Sequence, residues 1–66
     1  MNVVVNGRGL ELAPSATVEV LLAELGLETP YALVERNGDP VERTRYSKVE
    51  LAEGDRLVVA RPVAGG

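Results

Sequence analysis

The sequence contains no cysteine and no histidine. Without cysteine, neither a disulfide nor a thiolate metal site can stabilise the chain. The chain also lacks the most common general base and the strongest side-chain nucleophile. Ser15 and Ser47 have no base near them in sequence, and we interpret them as a turn residue and a loop residue. These absences argue against an enzyme that works through its own side chains.

Aromatic residues and positive charge are scarce as well. The chain has two tyrosines, no Phe and no Trp, and its formal net charge is −3. A polyanion would be repelled on average and would find few stacking platforms, so we expect no nucleic-acid ligand. The apolar runs fall far short of the roughly 20 residues that a membrane helix needs. No basic segment precedes the first apolar residues, so we expect no signal peptide, no membrane anchor and a cytoplasmic location.

Metal binding would have to rely on carboxylates alone, with strict geometry. Glu50, Glu53 and Asp55 lie close together in sequence. We interpret them as a solvent-exposed turn, and Arg36 as a solvated strand residue. We therefore expect no metal and no cofactor bound by the chain itself.

The apolar pattern of the chain, which is long enough for one domain, predicts several short strands. They are residues 1–5, residues 10–12 after the turn Asn6-Gly7-Arg8-Gly9, residues 32–36 before the turn Asn37-Gly38, a short edge strand from Val41, and residues 57–61. Val49 and Leu51 suggest one more short pairing segment. The first and last strands are the most continuously apolar, so we expect them to pair in parallel at the centre of the sheet.

A helix is predicted between the second and third strands. Val18, Leu21, Leu22 and Leu25 form one apolar stripe at helical spacing. Thr17 suits the N-cap, and Gly26 suits the position where the helix stops. Residues 1–61 are therefore expected to form an α+β domain, a mixed sheet of four or five strands packed on one helix.

Residues 62–66, Pro-Val-Ala-Gly-Gly, form a tail beyond the last strand. Five extended residues span about 16 Å, enough to enter the active site of a partner protein. The two glycines lack Cβ atoms, so they fit a narrow channel and adopt any backbone conformation. The alternative interpretation is a frayed chain end without a function.

Several short motifs, in this order and spacing, are similar to those of the ubiquitin-like sulfur carrier family, most of all its thiamine-biosynthesis branch. They are Thr17-Val18 with Leu21-Leu22, Val34-Glu35-Arg36-Asn37-Gly38, Val41 with Arg43, Leu51 with Gly54-Asp55, and the final Ala64-Gly65-Gly66. The chain departs from the family pattern at two positions. Glu42 stands where a proline is common, and Tyr46 stands where a tryptophan is frequent. We expect both residues in a surface loop.

The resemblance implies a β-grasp (ubiquitin-like) fold and a carrier that is not itself an enzyme. In this family an adenylating (E1-like) enzyme uses ATP to activate the terminal carboxylate, here that of Gly66. A sulfur donor such as a cysteine desulfurase then supplies the sulfur of a thiocarboxylate. Thiazole synthase would take this sulfur into the thiazole ring of thiamine. The resemblance also implies that Val63, Ala64 and Gly65 occupy the tunnel of the partner.

Alternation along the last strand predicts a docking patch for these partners. If Leu57 and Val59 point inward, Val58 and Ala60 point outward, and Leu33 joins them across the sheet. Such a small apolar patch ringed by charge suits protein recognition. The alternative is that these residues are scattered exposed aliphatics.

Two other functions remain open at this stage. Sulfur carriers for molybdopterin synthesis or tRNA thiolation share the fold and the Gly-Gly end. A β-grasp binding module or a protein modifier, which forms isopeptide bonds with lysines, belongs to a different class. We expect the free carrier to be monomeric.

Overall fold

The computed structural model describes residues 1–27 and 29–61. In this part of the chain, five strands form one mixed sheet. They are β1 (Asn2–Val5), β2 (Arg8–Glu11), β3 (Leu33–Arg36), β4 (Asp39–Pro40) and β5 (Arg56–Ala60). Helix α1 spans Val18–Glu24, and short 3₁₀ turns span Thr29–Tyr31 and Arg43–Arg45. The predicted α+β fold, a β-grasp sheet packed on a helix, is confirmed.

The strand order is β2-β1-β5-β3-β4, so β5 lies at the centre of the sheet. β1 and β5 are parallel, with Val5 opposite Leu57. β3 runs antiparallel to β5 on its other side, with Val34 opposite Val59. The predicted parallel pairing of the first and last strands is confirmed. The outer pairs, β1 with β2 and β3 with β4, are antiparallel hairpins.

Both hairpins use tight Asn-Gly turns, and this shifts the predicted strand limits. Asn6 and Gly7 have φ angles of 50° and 82°, and Asn37 and Gly38 have φ angles of 51° and 88°. Turns with two positive φ angles match the twist of a hairpin and need just two residues. β2 therefore already begins at Arg8, inside the predicted longer turn.

The prediction that the fourth strand begins at Val41 is wrong. Strand β4 comprises Asp39–Pro40 and ends before this residue. The short turn brings Asp39 directly opposite Arg36, so pairing starts at once. Val41 still donates its backbone amide to the carbonyl oxygen of Val34 at 2.9 Å.

Helix α1 begins and ends where the sequence predicts. The hydroxyl of Thr17 accepts a hydrogen bond from the amide of Val20 at 3.3 Å, and Gly26 has a φ of 72°. Val18, Leu21 and Leu22 are completely buried. Leu25, the fourth position of the predicted stripe, follows the last helical residue and is 39% exposed. Among the described residues, no helix has the length and apolarity that crossing a bilayer requires.

The prediction that Tyr46 lies in a surface loop is wrong. This side chain is 1% exposed, and its hydroxyl donates to the carbonyl oxygen of Ala32 at 2.9 Å. Its backbone carbonyl accepts the amide of Glu19 in the first turn of α1 at 2.9 Å. The loop after β4 thus folds over the helix N-terminus, where free amides need acceptors. Glu42, the other position where the chain departs from the family pattern, is exposed as expected.

The pairing segment predicted around Val49 and Leu51 proves to be an isolated bridge between Thr17 and Glu50. The amide of Leu51 also donates to the carbonyl oxygen of Ala16 at 2.8 Å. The buried core lies between the sheet and these segments. Its members are Val3, Val5, Leu12, Ala16, Val18, Leu21, Leu22, Ala32, Val34, Tyr46, Leu51, Leu57 and Val59.

Candidate functional site: the central strand and its outer face

Strand β5 carries the candidate site because it ends at Ala60, two positions before residues 62–66 begin. Its side chains alternate strictly between the two faces of the sheet. Leu57 and Val59 are buried against the core, whereas Val58 and Ala60 are exposed on the opposite face. The predicted inward and outward positions of this strand are confirmed. Pairing on both sides fixes the register of β5, and a register fixed in this way also fixes which side chains face solvent.

The three predicted docking residues lie side by side on the outer face. Leu33 of β3 stands directly opposite Ala60, and Val58 lies one pleat away. Leu33 is 47% exposed and Val58 is 54% exposed. Together with Glu35 and Pro40 these residues line a shallow depression. We call Leu33, Val58 and Ala60 the outer-face patch; the structure brings its members together, and their role in docking stays a prediction.

The apolar strip continues across the sheet to a residue that the sequence prediction did not include. Val4 of β1 is paired with Arg56 and shares a second shallow depression with Val58. The signal was present, since Val4 alternates with the buried residues Val3 and Val5. Val4 and Val58 lie close together because β1 and β5, which are far apart in sequence, pair in parallel.

Asp55, immediately before β5, is 6% exposed, so the interpretation of this residue as part of a solvated turn is wrong. Its carboxylate accepts hydrogen bonds from the amide of Ala52 at 2.8 Å, from Nε of Arg36 at 2.9 Å and from Nδ2 of Asn37 at 3.0 Å. Arg36 is correspondingly half-buried and ion-paired to Asp55, not simply solvated. This cluster fastens the start of β5 to the β3–β4 hairpin.

Two opposed effects act on the pKa of Asp55. Burial raises this pKa, because the charged form loses hydration. The hydrogen bonds from Ala52, Asn37 and Arg36, with the charge of Arg36, lower it and outweigh burial, so the pKa lies below its ordinary value. Asp55 is therefore held as a carboxylate for a structural purpose.

The neighbouring carboxylate of Glu53 accepts the amide of Asn2 at 2.9 Å. Within residues 1–27 and 29–61, no three His, Cys, Asp or Glu side chains form a group that could hold a metal ion. The acidic residues around this turn instead bond to the backbone and to Arg36.

The predicted tail, residues 62–66, lies outside the described residues. This applies to Val63, Ala64, Gly65 and Gly66, the positions predicted for the partner tunnel and for sulfur attachment. The last described residue, Arg61, is exposed and follows the outward-facing Ala60.

Two curated proteins show what the sequence is similar to. A thiazole synthase from Paramagnetospirillum magneticum is 38% identical over 66 residues, which cover 100% of this chain and 20% of that protein. The chain thus spans one fifth of the length of this relative. The sulfur carrier protein ThiS of Bacillus subtilis is 36% identical over 52 residues, 79% of each protein.

Solved structures agree with these sequence matches. The crystal structure of the thiamine biosynthesis protein ThiS from Geobacter metallireducens superimposes with a TM-score of 0.83 at 32% identity and covers 100% of both chains. A solution NMR structure of a thiamine biosynthesis protein from the same organism gives a TM-score of 0.82 at 32% identity, covering 100% of this chain and 88% of that one.

The five-stranded mixed sheet packed on one helix, which superimposes on a ThiS structure, defines a small ubiquitin-like protein of the β-grasp class. Residues 3–66 match the ThiS family. The chain belongs to this family.

Proposed function

We propose that this chain carries sulfur for the thiazole ring of thiamine as a thiocarboxylate on Gly66. The observation that carries the proposal is the match to the ThiS family over residues 3–66, which includes the Gly-Gly end. The overlap with a ThiS crystal structure along 100% of both chains supports it. Both findings favour the thiamine branch over molybdopterin synthesis and tRNA thiolation.

The chemistry starts from a poor electrophile, a carboxylate. An oxygen of the Gly66 carboxylate attacks the α-phosphate of ATP on the adenylating partner, and pyrophosphate leaves. The resulting acyl-adenylate has AMP as its leaving group. The outer sulfur of the donor's persulfide then attacks the acyl carbon and displaces AMP, giving an acyl disulfide. A thiol reductant attacks the donor's sulfur in this S–S bond, so the thiocarboxylate leaves and the donor and the thiol are joined as a disulfide. In this scheme the chain is a covalent co-substrate of other enzymes.

The role of the fold is to present one chain end to several partners. The absence of cysteine means that no side-chain thiol competes for the activated carbonyl. The outer-face patch includes Ala60, the last residue of β5, so a partner that docks there would contact the chain shortly before the tail begins in sequence. Holding reacting groups together in this way supplies much of the advantage of a tethered reaction.

A thiazole synthase as the receiving partner has independent support. All 66 residues of this chain align within one fifth of a protein that is itself named a thiazole synthase. A carrier-like segment in the same polypeptide as the synthase would act at a high effective concentration. A separate carrier would gain the same access by docking.

Intact mass spectrometry tests the proposal. The chain is incubated with an adenylating enzyme, ATP, a cysteine desulfurase with cysteine, and a thiol reductant. We expect a fraction heavier by one exchange of oxygen for sulfur. Two controls, deletion of Gly66 and extension of Gly66 by one leucine, should show no such fraction. If either variant gains the same mass, the attachment site is not the Gly66 carboxylate.

The pathway is tested separately by complementation. Expression of the chain should rescue a thiamine auxotroph that lacks its own ThiS carrier, and the chain without Gly66 should not rescue it. Rescue of a molybdenum-cofactor auxotroph, without rescue of the thiamine auxotroph, would assign the carrier to the other pathway.

A further inference from the structure

The C-terminal half of β5 extends past the end of its parallel neighbour β1. β1 ends at Val5, opposite Leu57. Asn6 still donates its backbone amide to the carbonyl oxygen of Leu57 at 2.9 Å, but the chain then turns away with a φ of 50° at Asn6. Val59 therefore lies beyond the point where the backbone of β1 can reach it.

The side chain of Asn6 takes the place of the next peptide group. Its Oδ1 accepts the amide of Val59 at 2.9 Å, and its Nδ2 donates to the carbonyl oxygen of Val59 at 3.0 Å. A carboxamide offers the same donor and acceptor as a peptide unit. Asn6 thus continues the β1–β5 ladder by one link, between residues 53 positions apart in sequence.

Asn37 makes comparable side-chain hydrogen bonds at the N-terminal end of β5. It also precedes a glycine in a tight turn, with a φ of 51°. Its Oδ1 accepts the amide of Arg56 at 2.9 Å, and its Nδ2 donates to Asp55 at 3.0 Å. The two asparagines hold opposite ends of β5, and the end that Asn6 holds is the one that leads into residues 62–66.

We infer that Asn6 is a positioning residue that fixes the C-terminal end of β5, the point from which the chain continues towards the tail. The inference rests on the proposed function, because the position of this end matters only if a partner must receive the chain terminus. Without Asn6, the amide and carbonyl of Val59 lose these bonds, and β3 alone holds the end of the strand. A carrier docked through the outer-face patch would then less often place its terminal carboxylate where it can react in the partner.

Glycine substitutions at the two asparagines form a matched pair. Glycine adopts a positive φ without steric cost, so each variant loses its side-chain bonds and gains no backbone strain. In Asn6→Gly we expect the amide of Val59 to exchange with solvent roughly tenfold faster, relative to the helical amide of Leu21, because it loses its side-chain acceptor at Asn6. Asn37→Gly should leave this ratio unchanged.

Adenylation kinetics provide the functional measurement, with pyrophosphate release followed as a function of carrier concentration. We expect Asn6→Gly to lower kcat roughly three- to tenfold with KM within about twofold, since docking is retained and alignment is lost. Asn37→Gly should keep kcat near the wild-type value. If Asn6→Gly fails to fold, Asn6→Asp keeps an acceptor for the amide of Val59 but places a second oxygen against the carbonyl oxygen of Val59, so it should also lower kcat.

The possible failures are distinguishable. If the wild type is not adenylated at all, the proposed function and the inference both fail. If the wild type is adenylated and both glycine variants keep its kcat, the inference alone is wrong. An equal loss of kcat in both variants would also overturn it, because general loss of stability would then explain the effect.

Discussion

Asp55 is a buried carboxylate that stabilises the fold through three donors at the entrance to the central strand. The Ala52 amide, Arg36 and Asn37 surround the carboxylate and each donate a hydrogen bond to it. A buried acceptor of this kind costs more to lose than an exposed one, because its donors are left without partners. At the residue scale, this cluster therefore contributes to stability and not to reaction chemistry.

Acidification should weaken the fold through Asp55. Its pKa in the folded state is below the ordinary value, so the unfolded chain takes up the proton first as the pH falls. The stability that Asp55 contributes is complete above the unfolded-state pKa of about 4 and is lost as the pH falls through the folded-state pKa. Urea denaturation between pH 7 and pH 2 should show this loss.

The substitution Asp55→Asn should lower the free energy of unfolding at pH 7 by roughly 2 kcal/mol, because an amide cannot accept from all three donors. Its difference from the wild type should shrink toward pH 2. The matched variant Glu53→Gln, at an exposed carboxylate that accepts a single amide, should change the stability by less than about 0.5 kcal/mol. A constant difference at every pH would contradict the role of the Asp55 charge.

At the scale of elements, helix α1 depends on partners outside itself. Its seven residues are too few for a stable isolated helix, so packing and capping must supply the stability. The amides of Val18 and Glu19 donate to the carbonyl oxygens of Val49 and Tyr46 at 3.0 and 2.9 Å. The side chain of Thr17 accepts a third amide. Both the loop after β4 and the N-cap residue therefore cap the N-terminus of α1.

Removal of this cap should be measurable in thermal unfolding. Thr17→Val keeps the side-chain shape and removes the acceptor for Val20, which should cost about 1 kcal/mol. For a domain of this size, that loss corresponds to a fall in Tm of about 5 °C. Thr17→Ser retains the acceptor and should stay within about 2 °C of the wild type. Equal Tm values for Thr17→Val and wild type would show that the loop carbonyls suffice.

At the scale of the whole molecule, the two faces of the sheet differ in what they contact. The inner face packs on α1 and Tyr46, whereas the outer face presents Leu33, Val58 and Ala60 to solvent. The strand that carries two of these residues continues into the tail. In the proposed function, a partner that covers the outer-face patch would therefore lie next to Arg61, the last described residue before the tail.

Val58→Asp should impair adenylation without unfolding the domain. A charge in the middle of an apolar interface costs at least about 1.4 kcal/mol, so kcat/KM with the adenylating enzyme should fall about tenfold or more. The control is Val20→Asp, which places the same charge on an exposed position of α1 and should leave kcat/KM unchanged. Unchanged kinetics for Val58→Asp would eliminate the patch as the docking surface.

Local signals were sufficient for most of the architecture. Asn-Gly pairs need positive φ angles and therefore mark the hairpins, Thr17 and Gly26 delimit the helix, and strict alternation assigns the faces of β5. The outer-face patch was predictable for the same reason, because a strand places alternate side chains on one face. These properties depend on neighbours within a few positions.

The surroundings of Asp55, Tyr46 and Asn6 were decided by tertiary structure alone. From sequence alone, an acidic residue in a turn is predicted to be solvated and a tyrosine in a polar loop is predicted to be exposed. In the folded protein, segments distant in sequence cover both residues. Asp55 meets Arg36 and Asn37 across 19 and 18 positions, and Asn6 meets Val59 across 53. Sequence patterns fix periodicity and local conformation, whereas such pairings arise when strands close into one sheet, and no local pattern specifies which polar groups then meet.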